Sequence, residues 1–487
     1  MEVTHYPKHT LYALLILGSW LLTCVLHFRS FHLFSGGVEF VVLPFSLNSS
    51  FHAAGGIAGD QRPSSSCDGR YVYMVDLPSQ FDFLRECVDG SPSLEDRYSK
   101  CFHMSNAGIG PELNSSDDDA GIVPATGWYN TNQYALEVIF HHLMRRYECL
   151  TGDPAAATAV YVPYYAAMDL HGHMCGFNSS VRNGAAVALL RWVSSRPAWA
   201  ARGGRDHFMV ASKTSWMFRD VGGDCGSTLL EQPEARNMTV LTYEANLWAD
   251  EPPSDFAVPY PTYFHPSSAA QVAAWQARVR STPRPWLYAF AGARRPNGTL
   301  PIRDRIFDAC DAPRGRCGLL DCRAGCDSPR KVVALFASAH FCLQPPGDSY
   351  MRRSAVDALV AGCIPVFFRP ASTFEKQYVW HEPDPNRRRP YYVLISQFDV
   401  VAGKVDIEET LARYTDDEVT AMREEVIKMI PRFVYKDPRV RFEGDMKDGF
   451  DVAMDALLAR MKRIKNGEDE GGKNDDDAAP AVVDNAQ

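Results

Sequence analysis

Short apolar runs rich in β-branched and aromatic residues recur along the chain, separated by stretches whose apolar positions fall at helical spacing. YVYMVDL from Tyr71, AVYVPYY from Ala159, HFMVAS from His207 and TVLTYEA from Thr239 read as strands. Between the first two, the pattern predicts a helix over residues 132–150, with Leu136, Phe140, Leu143, Tyr147 and Leu150 on one face. Strands that alternate with helices predict a parallel sheet, so residues 67–283 make a first Rossmann-like domain. A second alternation begins with WLYAFAG at Trp286 and passes through HFCLQP, CIPVFF and YYVLISQ, which places a second Rossmann-like domain at residues 284–465. Each block is long enough for its own core. Helical patterns close the second block at 407–411, 416–430 and 449–464, and the polar stretches 110–125 and 222–236 read as surface insertions.

The run HFCLQPPGDSYMRRSAVDALVAGCIPVFF, from His340 to Phe368, holds strand, polar loop, helix and strand in immediate succession. Pro345 and Pro346 close the first strand, and Gly347, Asp348 and Ser349 form a small-residue turn ahead of the helix. A helix N-terminus presents unpaired N–H groups and partial positive charge. Arg352 and Arg353 in its first turn add cations where they are otherwise unfavourable, which points to a bound anion. Asp357, one turn beyond Arg353, can accept hydrogen bonds from ribose hydroxyls, so phosphate and then ribose follow in the order a nucleotide sugar requires. The same spacing also fits a surface ion pair between Arg353 and Asp357 with Ser349 as a helix cap, and spacing alone leaves both open.

Together with GWYNTNQYALEVIFHHLMRRYEC from Gly127, GRDHFMVAS from Gly204, VPYPTYFHP from Val258 and RPWLYAFAGARRP from Arg284, this run resembles the plant exostosin-type glycosyltransferases of glycosyltransferase family 47, xyloglucan galactosyltransferase branch. The resemblance covers roughly residues 67–464. It implies an α/β fold of GT-B type, two Rossmann-like domains facing across a cleft, with terminal helices that return to the first domain. It also implies a UDP-sugar donor, inversion at the anomeric carbon, no obligatory metal, and transfer of galactose from UDP-galactose to xylosyl side chains of xyloglucan. Other glycosyltransferases are possible partners. Another UDP-sugar such as galacturonate or arabinopyranose, another hemicellulose, or a non-catalytic glycan-binding subunit stay open. The chain departs from the branch at Met351, where Thr is usual, and at Leu170-His171-Gly172-His173 after Asp169, where aromatics are usual. Both departures bear on donor and acceptor identity. A carboxylated donor sugar would call for an extra cation, which His171 or His173 can supply.

No isolated Asp-x-Asp of the kind that holds a cation on a diphosphate occurs at a strand end, the acidic runs at 117–119 and 475–477 being solvated. Charge developing on a departing UDP must then fall to the helix N-terminus and to arginines. The resemblance carries Arg303 into that role beside Arg353, with Gly347, Asp348, Ser349 and Asp357 completing the donor site, whereas Arg294 and Arg295 lie in a loop and are read as solvent-exposed. The acceptor hydroxyl needs a base from the first domain. Asp169 follows a strand at its carboxyl end, where open α/β sheets place ligand-contacting groups, and is the first candidate. Glu244, at the end of TVLTYEA, is the second. Asp206 and His207 precede a strand and fit a core or capping role. Trp128, Tyr129, Tyr260, Tyr263 and Phe264 are divided between sugar-stacking and core roles.

The ends of the chain change the picture of where such an enzyme sits. Residues 11–28 are uncharged and apolar enough for a transmembrane signal anchor, after a cytosolic tail at 1–10 and before a Gly-, Ser- and Ala-rich stem at 29–66. Sequons at Asn48, Asn114, Asn178, Asn237 and Asn297 favour a lumenal body, and with the resemblance they predict a single-pass type II protein of the Golgi membrane. Twelve of the thirteen cysteines follow the anchor and are expected to pair, with disulfides rather than zinc at Cys310, Cys317, Cys322 and Cys326, and with Cys342 and Cys363 as buried thiols or a core bridge. The net charge of −9 is concentrated in a disordered tail at 466–487, whose seven acids stand against Lys473 alone. The nearly neutral body suits a neutral polysaccharide and excludes a nucleic-acid partner, which needs a basic face.

Overall fold

A computed structural model describes residues 67–81, 104–113, 121–247, 254–295, 298–312, 315–323, 326, 328–382 and 390–468. The expected anchor and stem, nearly all of the acidic tail, and Asn48, Asn114 and Asn297 lie outside them. Two wholly parallel sheets organise the rest. The first contains β1 (Val72–Met74), β2 (Leu150–Thr151), β3 (Ala159–Tyr161), β4 (His207–Val210), β5 (Thr239–Thr242) and β6 (Asp255–Ala257), in the order β2-β1-β3-β4-β5-β6. Strands β3 to β6 are buried along their whole length, as a sheet covered on both faces requires.

Helix α1 (Leu136–Met144) is shorter than the apolar pattern predicts. Leu136, Phe140 and Leu143 face the core as expected, but Tyr147 lies beyond the helix and Leu150 enters β2. A disulfide from Cys149 to Cys67 and the bond from Val72 N–H to the Cys149 carbonyl (3.0 Å) draw the chain into the sheet edge before another turn can form. Helices α2 (Ala166–His171) and α3 (Ser179–Ser194) follow, the latter capped by the Asn178 side chain, which accepts from Val181 N–H at 3.0 Å. Residues 222–236 are not a mere surface insertion, because Leu229, Leu230 and Ala235 are core residues of this half. Residues 110–125 likewise contribute buried Leu113 and Val123, whose carbonyls accept from the Arg330 guanidinium.

Helix α4 (Ala269–Ser281) precedes the second sheet in sequence yet docks on its helices. The second sheet holds β7 (Trp286–Gly292), β8 (Cys317–Asp321), β9 (Ala339–Gln344), β10 (Ile364–Phe367) and β11 (Val393–Leu394), in the order β11-β10-β9-β7-β8. Around it lie α5 (Pro301–Cys310), α6 (Pro329–Ala337), α7 (Arg353–Val360), α8 (Asp416–Phe433) and α9 (Gly449–Lys465). Trp275 Nε1 of α4 donates to the Val360 carbonyl at 2.8 Å, and Gln276 Nε2 to the Ile427 carbonyl at 2.8 Å. Gly362, at φ +65°, stops α7 and turns the chain into β10. Capping boxes at Thr415 and Asp448 start α8 and α9. Helix α9 lies against the first sheet's side: Phe450 packs on Phe140 with ring centroids 4.7 Å apart, and Asp455 pairs with Arg70 at 2.7 Å. The cysteines of the 310–326 cluster pair as Cys310–Cys317 and Cys322–Cys326, Cys342 bridges to Cys363, and Cys175 to Cys225.

Buried titratable groups tie these elements together and give the fold a pH dependence. Glu137 of α1 is fully buried, and its Oε1 accepts from Ala167 N–H at 2.7 Å and Ser212 N–H at 3.0 Å. Burial pushes this carboxyl up to about 8 in spite of those donors. An acid whose native pKa exceeds its unfolded value keeps its proton when the unfolded chain has released it, so stability falls as pH rises through the native pKa. Asp448, which burial raises to about 7, acts in the same direction. Half-buried His141 and buried His265, held down to about 4 by desolvation, oppose this only below about 6.5, where the unfolded chain takes up protons. The thermal midpoint should therefore fall between about pH 6.5 and pH 8, and Glu137→Gln should flatten that fall. Calorimetry across this window decides the point, and an unchanged slope in the variant would remove Glu137 from the account.

Candidate active site

A cavity of about 760 Å³ opens where the carboxyl ends of both sheets meet. Lys213, Thr214 and Trp216 follow β4, Ala293 to Arg295 follow β7, and Asp348 to Arg353 follow β9, so each wall is made by loops leaving the sheet on its ligand-facing side.

The loop after β9 makes the second-domain wall. Pro345 and Pro346 end the strand, Gly347 N–H donates to the Ser349 carbonyl at 3.1 Å, and α7 starts at Arg353, with Arg352 as its N-cap and no side-chain cap. Gly347 leaves the Arg352 guanidinium room here, because a Cβ at this position would displace it and come within 3.4 Å of Arg303 Nη2. Arg303, on the first turn of α5, is only 3% exposed and donates to the Ala293 carbonyl at 3.1 Å. Desolvation and then the neighbouring Arg352 bring its guanidinium down to about 10. Desolvation lowers Arg352 as well, with Arg295 adding to the effect against the influence of Tyr260 and Asp348. Asp348 pairs with Arg295 at 2.7 Å. Three guanidiniums thus crowd one small turn against one exposed carboxylate, an arrangement that an anion stabilises.

Arg353 stands differently. Its Nη1 donates across to the Thr131 carbonyl of the first domain, its Nε lies 3.3 Å from Asp357 Oδ2, and its guanidinium sits 3.7 Å above the Tyr263 ring. Asp357 is buried, which raises its carboxyl to about 6 against the pull of Arg353. The pair lines the cavity, and buried Arg353 Nη2 and Asp357 Oδ1 have no hydrogen-bond partner among the described residues. Ser349 Oγ donates to the Met351 carbonyl at 3.0 Å rather than capping α7.

The two candidate bases are placed apart. Asp169 lies on α2, buried, where its Oδ2 accepts from Tyr164 Oη at 2.7 Å, and burial raises its pKa. It does not line the cavity. Glu244, just past β5, is buried behind Ser349 and Met351, and its Oε2 accepts from Met351 N–H at 2.7 Å. Burial lifts it to about 7. His171 is exposed and His173 packs on Phe177, neither lining the cavity, while His207 is buried against Asp206 Oδ1 at 2.8 Å in a structural pair. Of the aromatics, Tyr260 and Tyr263 line the cavity, Trp128 and Phe264 stack inside the core, and Tyr129 belongs to a cluster with Asp437 and Arg439.

Arg352, Arg295, Lys213 and Trp216 line the cavity without belonging to the sequence-based site. Arg352 is one of two adjacent arginines that spacing does not separate. Arg295 reads as a loop cation. Lys213 and Trp216 follow HFMVAS at a strand's carboxyl end, the same signal that points to Asp169. The Lys213 side chain is 3% exposed, with Nζ 4.0 Å from the Tyr134 ring centroid, and burial lowers it to about 8. Among the described residues no group of three or more His, Cys, Asp and Glu side chains is placed to hold a metal ion.

Two parallel α/β sheets with their carboxyl ends around an arginine-rich cavity define a two-domain transferase of an anionic donor. More particularly, the chain belongs to the Exostosin GT47 family of glycosyltransferases, whose domain profile matches residues 66–411. It is 40% identical over 421 residues to the probable xyloglucan galactosyltransferase GT12 of Arabidopsis thaliana, covering 85% of this chain and 80% of that one. With xyloglucan galactosyltransferase MUR3 of the same plant it shares 42% over 417 residues, 84% of this chain and 65% of the other. With its xyloglucan-specific galacturonosyltransferase 1 it shares 37% over 413 residues, 84% and 59%. The match thus spans less than two thirds of the latter two.

The two neighbouring arginines should separate cleanly on substitution. Arg352→Ala should weaken UDP binding by about 30-fold, the loss of a charge-assisted contact of about 2 kcal/mol, without lowering the thermal midpoint. Arg353→Ala should instead destabilise the fold by about 3–5 kcal/mol, because Asp357 is left buried without its partner. Calorimetric titration with UDP and thermal melts of both variants read the two effects, and a reversed pattern would return the diphosphate to Arg353.

Proposed function

We propose that this enzyme is a GT-B galactosyltransferase, inverting and metal-independent, that moves galactose from UDP-galactose to xylosyl side chains of xyloglucan. We further propose that residues 11–28 anchor it in the Golgi membrane with its body in the lumen. The observation that carries the reading is the pair of undercompensated guanidiniums of buried Arg303 and half-buried Arg352 beside Gly347, a site for a diphosphate leaving group. The relatives named as xyloglucan galactosyltransferases supply the sugar and the polymer. In this reading an acceptor hydroxyl oxygen attacks the anomeric carbon from the face opposite UDP. The bond to the diphosphate oxygen breaks with its electron pair, and the arginines meet the charge that develops there.

The hydroxyl proton needs an acceptor beside the cavity. Glu244 borders it through Met351, whereas Asp169 stands behind Tyr164, so we assign the base to Glu244 ahead of Asp169. Its carboxyl at about 7 fits the task, since a base poised near the working pH balances ionisation against proton affinity. A second donor, UDP-galacturonate, is favoured by one observation: Lys213 places a buried cation on the cavity wall where a uronate carboxylate can be met.

Full-length protein incubated with UDP-galactose or UDP-galacturonate and xyloglucan oligosaccharides should release UDP with the first and retain full rate in chelator. Turnover restored only by manganese would refute metal independence, and preference for the uronate would select the alternative. The rate should rise as pH passes about 7, because the carboxylate is the working form. Glu244→Gln should lower it roughly 100-fold or more with UDP affinity intact.

A further inference from the structure

We propose that the first-domain wall of the cavity is the acceptor subsite, and that Trp216 is the platform on which a neutral sugar ring of a β-linked polysaccharide stacks. The proposal rests on the glycosyl-transfer reading and names the residue that grips the polymer. The two walls differ in kind. Arginines and the acids Asp348 and Asp357 make the second-domain wall, whereas Gln133, Tyr134, Thr214, Trp216 and Met217 make the other, with Lys213 the only charged side chain lining it. A charged leaving group belongs against the first of these surfaces and a neutral polymer against the second.

Trp216 is 43% exposed although it lines the cavity, while Trp128 and Trp275 are buried in aromatic clusters. Its indole has no ring partner among the described residues, and an indole left half-bare in a cleft offers a flat apolar face that fits the C–H face of a pyranose. The turn beneath it is fixed. Ser215 N–H donates to the Glu244 carbonyl at 3.1 Å, Ser227 N–H to the Met217 carbonyl at 2.8 Å, and the flanking Met217 and Phe218 are buried. The platform is therefore pre-organised, and little ordering entropy opposes binding.

The apolar surface also continues outward from the cavity. Phe177, 47% exposed, and Val221 lie on segments that the Cys175–Cys225 bridge and the Arg182 bonds to the Asp224 and Gly226 carbonyls hold together. That bridge itself lines the cavity, and Phe177 and Val221 each stand only a few residues along the chain from one of its cysteines.

Trp216→Ala and Trp216→Tyr, in the full-length protein, test the assignment by affinity electrophoresis in xyloglucan gels, by KM for acceptor and donor, and by thermal melts. The expected result is loss of gel retardation and a rise of roughly five- to tenfold in acceptor KM for Trp216→Ala, with donor KM and melting unchanged and most binding kept by Trp216→Tyr. Unchanged retardation in Trp216→Ala, a wild type that xyloglucan does not retard, or a loss of melting temperature that also raises donor KM would each overturn it. Wild-type retardation lost in Trp216→Ala, without transfer from any UDP-sugar, would sink the galactosyl-transfer reading and leave the platform standing.

Discussion

Mutual repulsion among Arg295, Arg303 and Arg352 is the constraint around which the second domain is arranged. Guanidiniums stay charged at any physiological pH, so their crowding cannot be relieved by losing a proton and has to be held by the scaffold. Three features hold it. Gly347 leaves open the space that the Arg352 guanidinium occupies, Asp348 supplies one compensating charge, and the backbone carbonyl of Ala293 accepts from Arg303. Gly347 and Asp348 come from the loop after β9 and Ala293 from the loop after β7, both at the carboxyl end of the parallel sheet, and the order β10-β9-β7 brings β9 and β7 side by side so that the two loops converge.

The same loop is wired to the opposite wall. Glu244 of the first domain takes the Met351 N–H, and Arg353 reaches back to the Thr131 carbonyl. Thr131 Oγ1 lies 3.0 Å from the His265 ring, whose other nitrogen is 2.9 Å from the Tyr435 carbonyl. Donor loop, first domain and the chain between α8 and α9 are thus joined by one polar network inside a shared apolar core. Any relative motion of the walls has to break hydrogen bonds that are buried, where an unmade bond costs about 1–3 kcal/mol. The Met351 side chain is buried at this junction, and its backbone N–H carries the bond to Glu244 whatever the side chain.

The two parallel sheets were legible because β-branched runs of correct length alternate with helical periods, a signal that survives without tertiary information. Boundaries were not. Residues 145–150 carry helical spacing, but a disulfide and an edge-strand bond draw them out of α1. The polar stretch 222–236 looked like an insertion because only Leu229, Leu230 and Ala235 point inward, too few to show a period. In the site, the motif located the donor loop but could not rank Arg352 against Arg353. That choice depends on Thr131, Asp357 and Tyr263, and two of these three come from the other domain. Trp216 and Lys213 were hidden for a related reason: which face of a loop looks into a cavity is decided by the opposing wall, not by neighbours in sequence.

With buried Arg303 and half-buried Arg352 undercompensated, the guanidinium cluster carries an electrostatic penalty that a bound diphosphate would remove, and a ligand that favours the native state adds to its stability in proportion to its saturation. The first-domain wall holds no such cluster of like charges, Lys213 being its one charged side chain among the described residues. In the proposed reaction this difference favours donor binding before acceptor binding. A diphosphate seated at the cluster would also raise the proton affinity of a nearby carboxyl such as Glu244, the base proposed above, so that proton uptake and leaving-group binding would reinforce each other.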